Sequence, residues 1–236
     1  MKKVLKCLII FILVFSGFDL FGKNISFQID FSSRYIWRGF DLNPYRKPVV
    51  QPSMNWDLGE SGFSFNLWSS LSFVGKDLHE FDVTLSYSRE IAEVLSIEAG
   101  LIHYAWYFTE NFTFKDDTSH EIFVSVGLPH FLFEPTLNLF YDFTVGDGFY
   151  GQLEIGHSFS VLKNVEAGLY SSLGYNGGQW LAEGTDPGFS DLNFGLSFSW
   201  KTGRFFAAAF TNYTFVLLKA ISRENHFWFG VSLGYH

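Results

Sequence analysis

Carboxylates at alternate positions are the residues best placed to do chemistry in this chain. Asp30, Asp57, Glu80, Asp82, Glu98, Glu121, Asp142, Glu154, Glu166 and Asp191 all fall on the polar phase of two-residue repeats whose other phase is apolar. Successive side chains of a strand point to opposite faces, so these acids belong to the wet face of a sheet. Bases on that face are few: Arg34, Arg38 and Arg204. Rings of carboxylates favour cations in a pore. The same acids paired with arginine would instead fill a closed interior, and both readings stay open. Arg34 and Arg38 are four apart and are expected to share the wet face of one strand. They form either the positive half of a constriction opposite Glu80 and Asp82, or a salt-bridge network holding the first strand in register.

Other chemistry finds little support. Nucleophilic catalysis needs a base within hydrogen-bond reach of a nucleophile, with a third group to orient it. His226 with Ser222 nearby is the best pair; His157 and Ser158 fall on opposite faces, and His120 faces outward by parity. The histidines are dispersed and form no H-x-x-x-H set, so neither a metal nor a cofactor is expected. Asp116–Asp117 and the GTDPG stretch read as solvated turns rather than Ca²⁺ loops. The glycines of VGDGFYG lack the strand-to-helix setting of a phosphate loop.

The elements that must carry the wet face are strands. In 24–40, Ile25, Phe27, Ile29 and Phe31 alternate with Ser26, Gln28, Asp30 and Ser32, and the stretch closes on Tyr35, Trp37, Arg38 and Gly39. It is read as a first membrane strand ending in a turn, with Tyr35 and Trp37 as an outer aromatic belt. The design repeats. Phe227, Phe229, Val231, Leu233 and Tyr235 alternate with Trp228, Gly230, Ser232 and Gly234, and 191–200 alternates most cleanly of all. The segment 95–107 is blurred by Ile102, His103 and Tyr104, 89–94 reads as a helical turn or a hairpin, and 129–133 is an unusually apolar turn. Twelve strands of about ten residues result, long enough to cross a bilayer at a tilt. Connections alternate long (from Asp41, Thr109, Asn176) and short (at Gly59, Val161, Lys201), as in outer-membrane barrels with short periplasmic turns.

Composition agrees. The chain of 236 residues is 20% aromatic and only 17% charged, against about 25% charged in soluble domains. Lys2, Lys3 and Lys6 precede an apolar core at 8–15 and small residues up to Gly22, the pattern of a secretory signal over 1–22. Its removal takes three Lys and one Asp from a chain of charge −8, leaving −10, and it takes the single cysteine, Cys7. An acidic chain is a poor nucleic-acid partner.

The residues also carry a resemblance. Ser33, Tyr35, Arg38 and Gly39 resemble the S-x-Y-x-x-R-G opening of the TorF-type porin family, a family of bacterial outer-membrane barrels. Pro48 and Gln51, then Gly62 with Trp68 and Ser70, then Glu80, Asp82 and Tyr87, and Gly100 with Tyr104 fit its following segments in order. The proline expected after Tyr107 is missing, and Ser190, Asp191 and Gly195 match near the end. The resemblance implies a porin-like outer-membrane protein.

The expectation is therefore an all-β transmembrane antiparallel up-and-down barrel of about 12 strands over 23–236, with its N-terminus in the periplasm. Its function would be passive diffusion of small hydrophilic solutes, leaning to cations. Its partners would be outer-membrane lipid and those solutes, with no nucleic acid. A structural or adhesion barrel is the alternative, and a lipid-modifying enzyme the third. The expected pore-lining residues are Asp30, Arg34, Arg38, Glu80, Asp82, Glu98, Glu121, Asp142, Glu154, Glu166 and Asp191.

Overall fold

A computed structural model of the protein describes residues 24–43, 47–72, 78–108 and 113–236. The segment 1–22, expected to be a secretory signal, lies outside these residues.

Twelve antiparallel strands close on themselves: β1 (Ile25–Ser32), β4 (Val49–Asp57), β5 (Phe63–Ser72), β6 (Leu78–Ile91), β7 (Leu95–Phe108), β8 (Thr113–Gly127), β9 (Thr136–Asp142), β10 (Gly148–Leu162), β11 (Val165–Gly177), β12 (Gly188–Thr202), β13 (Phe205–Val216) and β14 (His226–Tyr235). The first and last strands pair, Phe27 with Tyr235 and Phe31 with Val231, so no edge is left unpaired. Two short strands, β2 (Ile36–Trp37) and β3 (Phe40–Asp41), form a separate hairpin between β1 and β4.

Residues directly across a ladder share a face, so the register sorts the wall. Leu85, Leu101, Ile122, Tyr141 and Phe149 form one continuous outer row. The apolar members of this face stay exposed: Leu85 at 48%, Ile122 at 50% and Leu153 at 50%. An apolar outer face and a polar inner one is the pattern of a membrane barrel and the reverse of a soluble one. Inside, Ile102, Glu121, Asp142 and Gly148 form one row, and Trp68, Asp82, Tyr104 and Ser119 another.

Large inner aromatics lie over glycines of the neighbouring strand. Phe123 covers Gly100, Phe210 covers Gly230 and Phe206 covers Gly234. Gly100 sits so close that an added Cβ would lie 2.6 Å from both the Leu85 carbonyl oxygen and the Phe123 ring. Glycine is what these crossings require.

The blurred alternation of 95–107 has a cause here. β7 runs in unbroken register with β6, and its inner positions Tyr104 and Trp106 are aromatic because they meet each other and Trp180 inside the barrel. The segment after Arg89 is a tight reversal with Ala92 and Glu93 at positive φ, not a helical turn. The apolar turn at 129–133 also has a place. β9 is only seven residues long, half the length of its neighbours, and the Phe133 carbonyl oxygen accepts from the Gly156 N–H at 2.8 Å, prolonging the edge of β10. Phe133 packs edge-on to the outward His157, so the turn continues the apolar outer band where β9 ends.

Candidate functional site: a hairpin folded into the lumen

The stretch after β1 is not a continuation of the wall. β1 ends at Ser32, and Ile36–Asp41 turns back on itself with Trp37 opposite Phe40. Its two-residue turn places Arg38 at φ 49° and Gly39 at φ 86°. Two successive positive φ values make the type I′ turn that matches strand twist, and glycine at the second position takes it at little cost. Tyr35 and Trp37 are therefore not an outer belt. Tyr35 lies inside, 5.5 Å from Trp68 between ring centroids, and its hydroxyl donates to Glu80 at 2.7 Å. Trp37 packs against Phe40 and Tyr104.

The tip of the hairpin carries the main electrostatic contact. Arg38 donates two parallel hydrogen bonds to Glu121, Nη1 to Oε2 at 2.6 Å and Nη2 to Oε1 at 2.8 Å, the fork geometry that only arginine supplies. Its guanidinium also lies 4.1 Å from the Phe140 centroid, 4.4 Å from Trp37 and 4.6 Å from Tyr150. Gln179, from the connection after β11, contacts Arg38 and donates to Glu121. Tyr104 adds a fourth donor at 2.9 Å. Glu121 is fully buried and fully answered, as a charge out of water must be.

Arg34 and Arg38 thus do not share a strand face, and Arg38 is bonded to Glu121 rather than to Glu80 or Asp82. Arg34 stays beside the seam, 3.6 Å from Asp41 and 3.1 Å from His226 Nδ1. The Ser222 hydroxyl donates to the Glu224 carbonyl oxygen rather than to His226.

The other acids divide into two groups. Asp142 accepts from Ser119 at 2.6 Å and from the Thr144 N–H at 2.9 Å. Asp191 accepts from Tyr150, Ser190 and Asn193. With Glu80, Asp82 and Glu121 these surround the hairpin. Toward the end of the barrel that holds both chain termini lie Asp30, which accepts from Gln28 at 2.9 Å, Glu166, which pairs with Lys201 at 3.0 Å, and Glu154 on the inner row with Gln152. Glu98 borders two smaller recesses of about 320 and 420 Å³. Against the hairpin is a cavity of about 610 Å³, bordered by Tyr35, Trp37, Arg38, Trp68, Asp82, Tyr104, Tyr170, Asp191, Trp228 and several amides.

Gln179 and Tyr150 were not singled out by sequence. Tyr150 sits in the VGDGFYG glycine run, and only its place on the polar phase of β10 marks it as inward. Gln179 lies in a glycine-rich connection, where no periodicity exists to read.

Comparison with known proteins follows the architecture. The KdgM porin structure superposes with TM-score 0.60 at 14% identity, covering 89% of this chain and 98% of that one. The NanC porin structure gives TM-score 0.58 at 8% identity, over 89% and 99%. A second KdgM structure, titled as a complex with disordered oligogalacturonate, gives 0.54 at 13%, over 90% and 98%. At such identities the likeness is one of fold. Curated proteins give no sequence match. A family model matches residues 21–217. The chain belongs to that family, described as a bacterial protein of unknown function (Gcw_chp).

Proposed function

We propose that the protein is an outer-membrane channel for passive diffusion of small hydrophilic solutes, with a preference for cations. The observation that carries this reading is a polar lumen with a cavity inside a barrel whose outer face is apolar. The KdgM and NanC neighbours, named as porins, support it, as does the resemblance to TorF-type porins. In this reading residues 1–22 are a signal peptide, the N-terminus faces the periplasm, and the hairpin enters from the outer end. Asp30, Arg34, Arg38, Asp82, Glu98, Glu154, Glu166 and Asp191 line the solute path, and the buried Glu80, Glu121 and Asp142 stand behind it as hydrogen-bonded supports. The excess of acids over bases disfavours anions.

In a planar bilayer the purified protein is expected to give discrete conductance steps and a reversal potential on the cation side in a salt gradient. Absence of steps under all conditions sinks the channel, whereas an anion-side potential sinks only the selectivity. The Arg38–Glu121 clasp favours one second reading, a structural barrel with a closed interior, which the same recording distinguishes.

Membrane residence has its own test. Leu196→Arg, near the middle of β12 on the outer face, is expected to cost about 2–4 kcal/mol of folding stability in lipid vesicles. No loss there would argue for a soluble barrel.

A further inference from the structure

We infer that the cavity against the hairpin is a binding site for small organic cations, an inference that rests on the channel reading only for how the solute arrives. Asp82 carries it. Its Oδ1 is buried with no hydrogen-bond partner. Its neighbours on both sides across the sheet are aromatic, Trp68 on β5 and Tyr104 on β7. Tyr35 and Trp228 border the same space.

Among the described residues, the nearby groups able to answer this carboxyl group are engaged elsewhere. The Tyr35 hydroxyl donates to Glu80 and the Tyr104 hydroxyl to Glu121. Arg38 is held by Glu121, and Arg34 lies with Asp41 and His226. Among the described residues no cation answers this carboxyl group, which is walled by aromatic faces. Burying an unpaired charge is costly, so ionisation of this acid calls for a bound cation to supply the counter-charge. Aromatic faces attract cations through the ring quadrupole, and quaternary ammonium groups suit such a cage. The volume, about 610 Å³, is of small-molecule size.

Other ligand classes fit less well. An anion would meet Asp82 and Glu80 together. A neutral sugar would use the rings but leave the carboxylate unanswered. A divalent metal needs about six oxygen ligands, and among the described residues no cluster of three or more His, Cys, Asp or Glu is disposed to hold one.

The test is calorimetric titration of the full-length protein in detergent micelles with choline. Saturable binding is expected. The neutral alcohol in which carbon replaces the choline nitrogen should bind about tenfold more weakly or worse. Asp82→Asn should weaken choline by about tenfold while keeping the heat-modifiable gel mobility of a folded barrel. Choline that does not saturate, a neutral analogue that binds equally, or an Asp82→Asn protein that binds like the parent would each overturn the proposal. The analogue comparison needs no variant, so misfolding of Asp82→Asn does not shelter it. Conductance recorded on the same preparation separates the two readings. Conductance without choline binding overturns the site and leaves the channel, while binding without conductance supports the site and overturns the channel.

Discussion

Arg38→Met is expected to raise single-channel conductance several-fold and to lower stability by about 3–5 kcal/mol, because it strips the counter-charge from a buried acid. The Arg38 side chain is 8% exposed and Glu121 not at all, so the carboxylate left behind has no water to turn to. Tyr104 and Gln179 can still donate, but neither carries charge. Among the described residues the hairpin tip has no other ionic hold, and without the clasp the Tyr35 hydrogen bond and the Trp37 packing are left to resist its displacement from the lumen. The double variant Arg38→Met with Glu121→Gln should recover much of the stability, since no orphan charge remains, yet keep the raised conductance. Denaturant unfolding and bilayer recording read the two effects separately. A single variant with unchanged conductance would show that the hairpin does not limit flow.

Gly230→Val should be the most damaging single change in the seam where the barrel closes. A Cβ at Gly230 would collide with the Phe210 ring and with the Phe31 carbonyl oxygen. A ring can rotate away; a backbone oxygen held in the β1–β14 ladder cannot. Overpacking of this kind costs about 1–3 kcal/mol, and more where the obstacle is backbone. The folded, heat-modifiable form should disappear at a clearly lower temperature. Gly188→Ala is the control: its nearest neighbour would be Leu218 Cδ1 at 3.9 Å, and its effect should stay within about 0.5 kcal/mol. Equal melting of the two variants would refute the steric account of the seam.

The barrel was legible because its wall obeys one rule. Phe227 to Tyr235, or Leu192 to Trp200, alternate without fault, and parity alone sends Glu121, Asp142 and Asp191 inward. The hairpin was not legible for the same reason. Tyr35 and Trp37 continue the two-residue beat of Ile25 to Phe31, and a hairpin folded inside a barrel has the same period as the wall. Only Arg38-Gly39, a pair suited to positive φ at its second position, marks the reversal. Partner choice lay further out of reach. Arg38 meets Glu121 and Gln179, residues 83 and 141 positions away. Such pairings come from the circumference of the closed sheet and leave no trace in local spacing. The apolar 129–133 turn made sense only once the shortness of β9 was known.

The ring order adds one mechanical point. The hairpin springs from the junction of β1 and β4, and β8, which holds Glu121, stands on the far side of the circle. A cylinder bonded only around its rim behaves as a hoop: it flattens easily, because ovalising it stretches no hydrogen bond by much. A spar across the diameter changes that. With its foot at the first strand and its tip clasped to β8, five strands round the ring, the Arg38 hairpin braces the cross-section against flattening and ties the β1–β14 seam to the wall across from it.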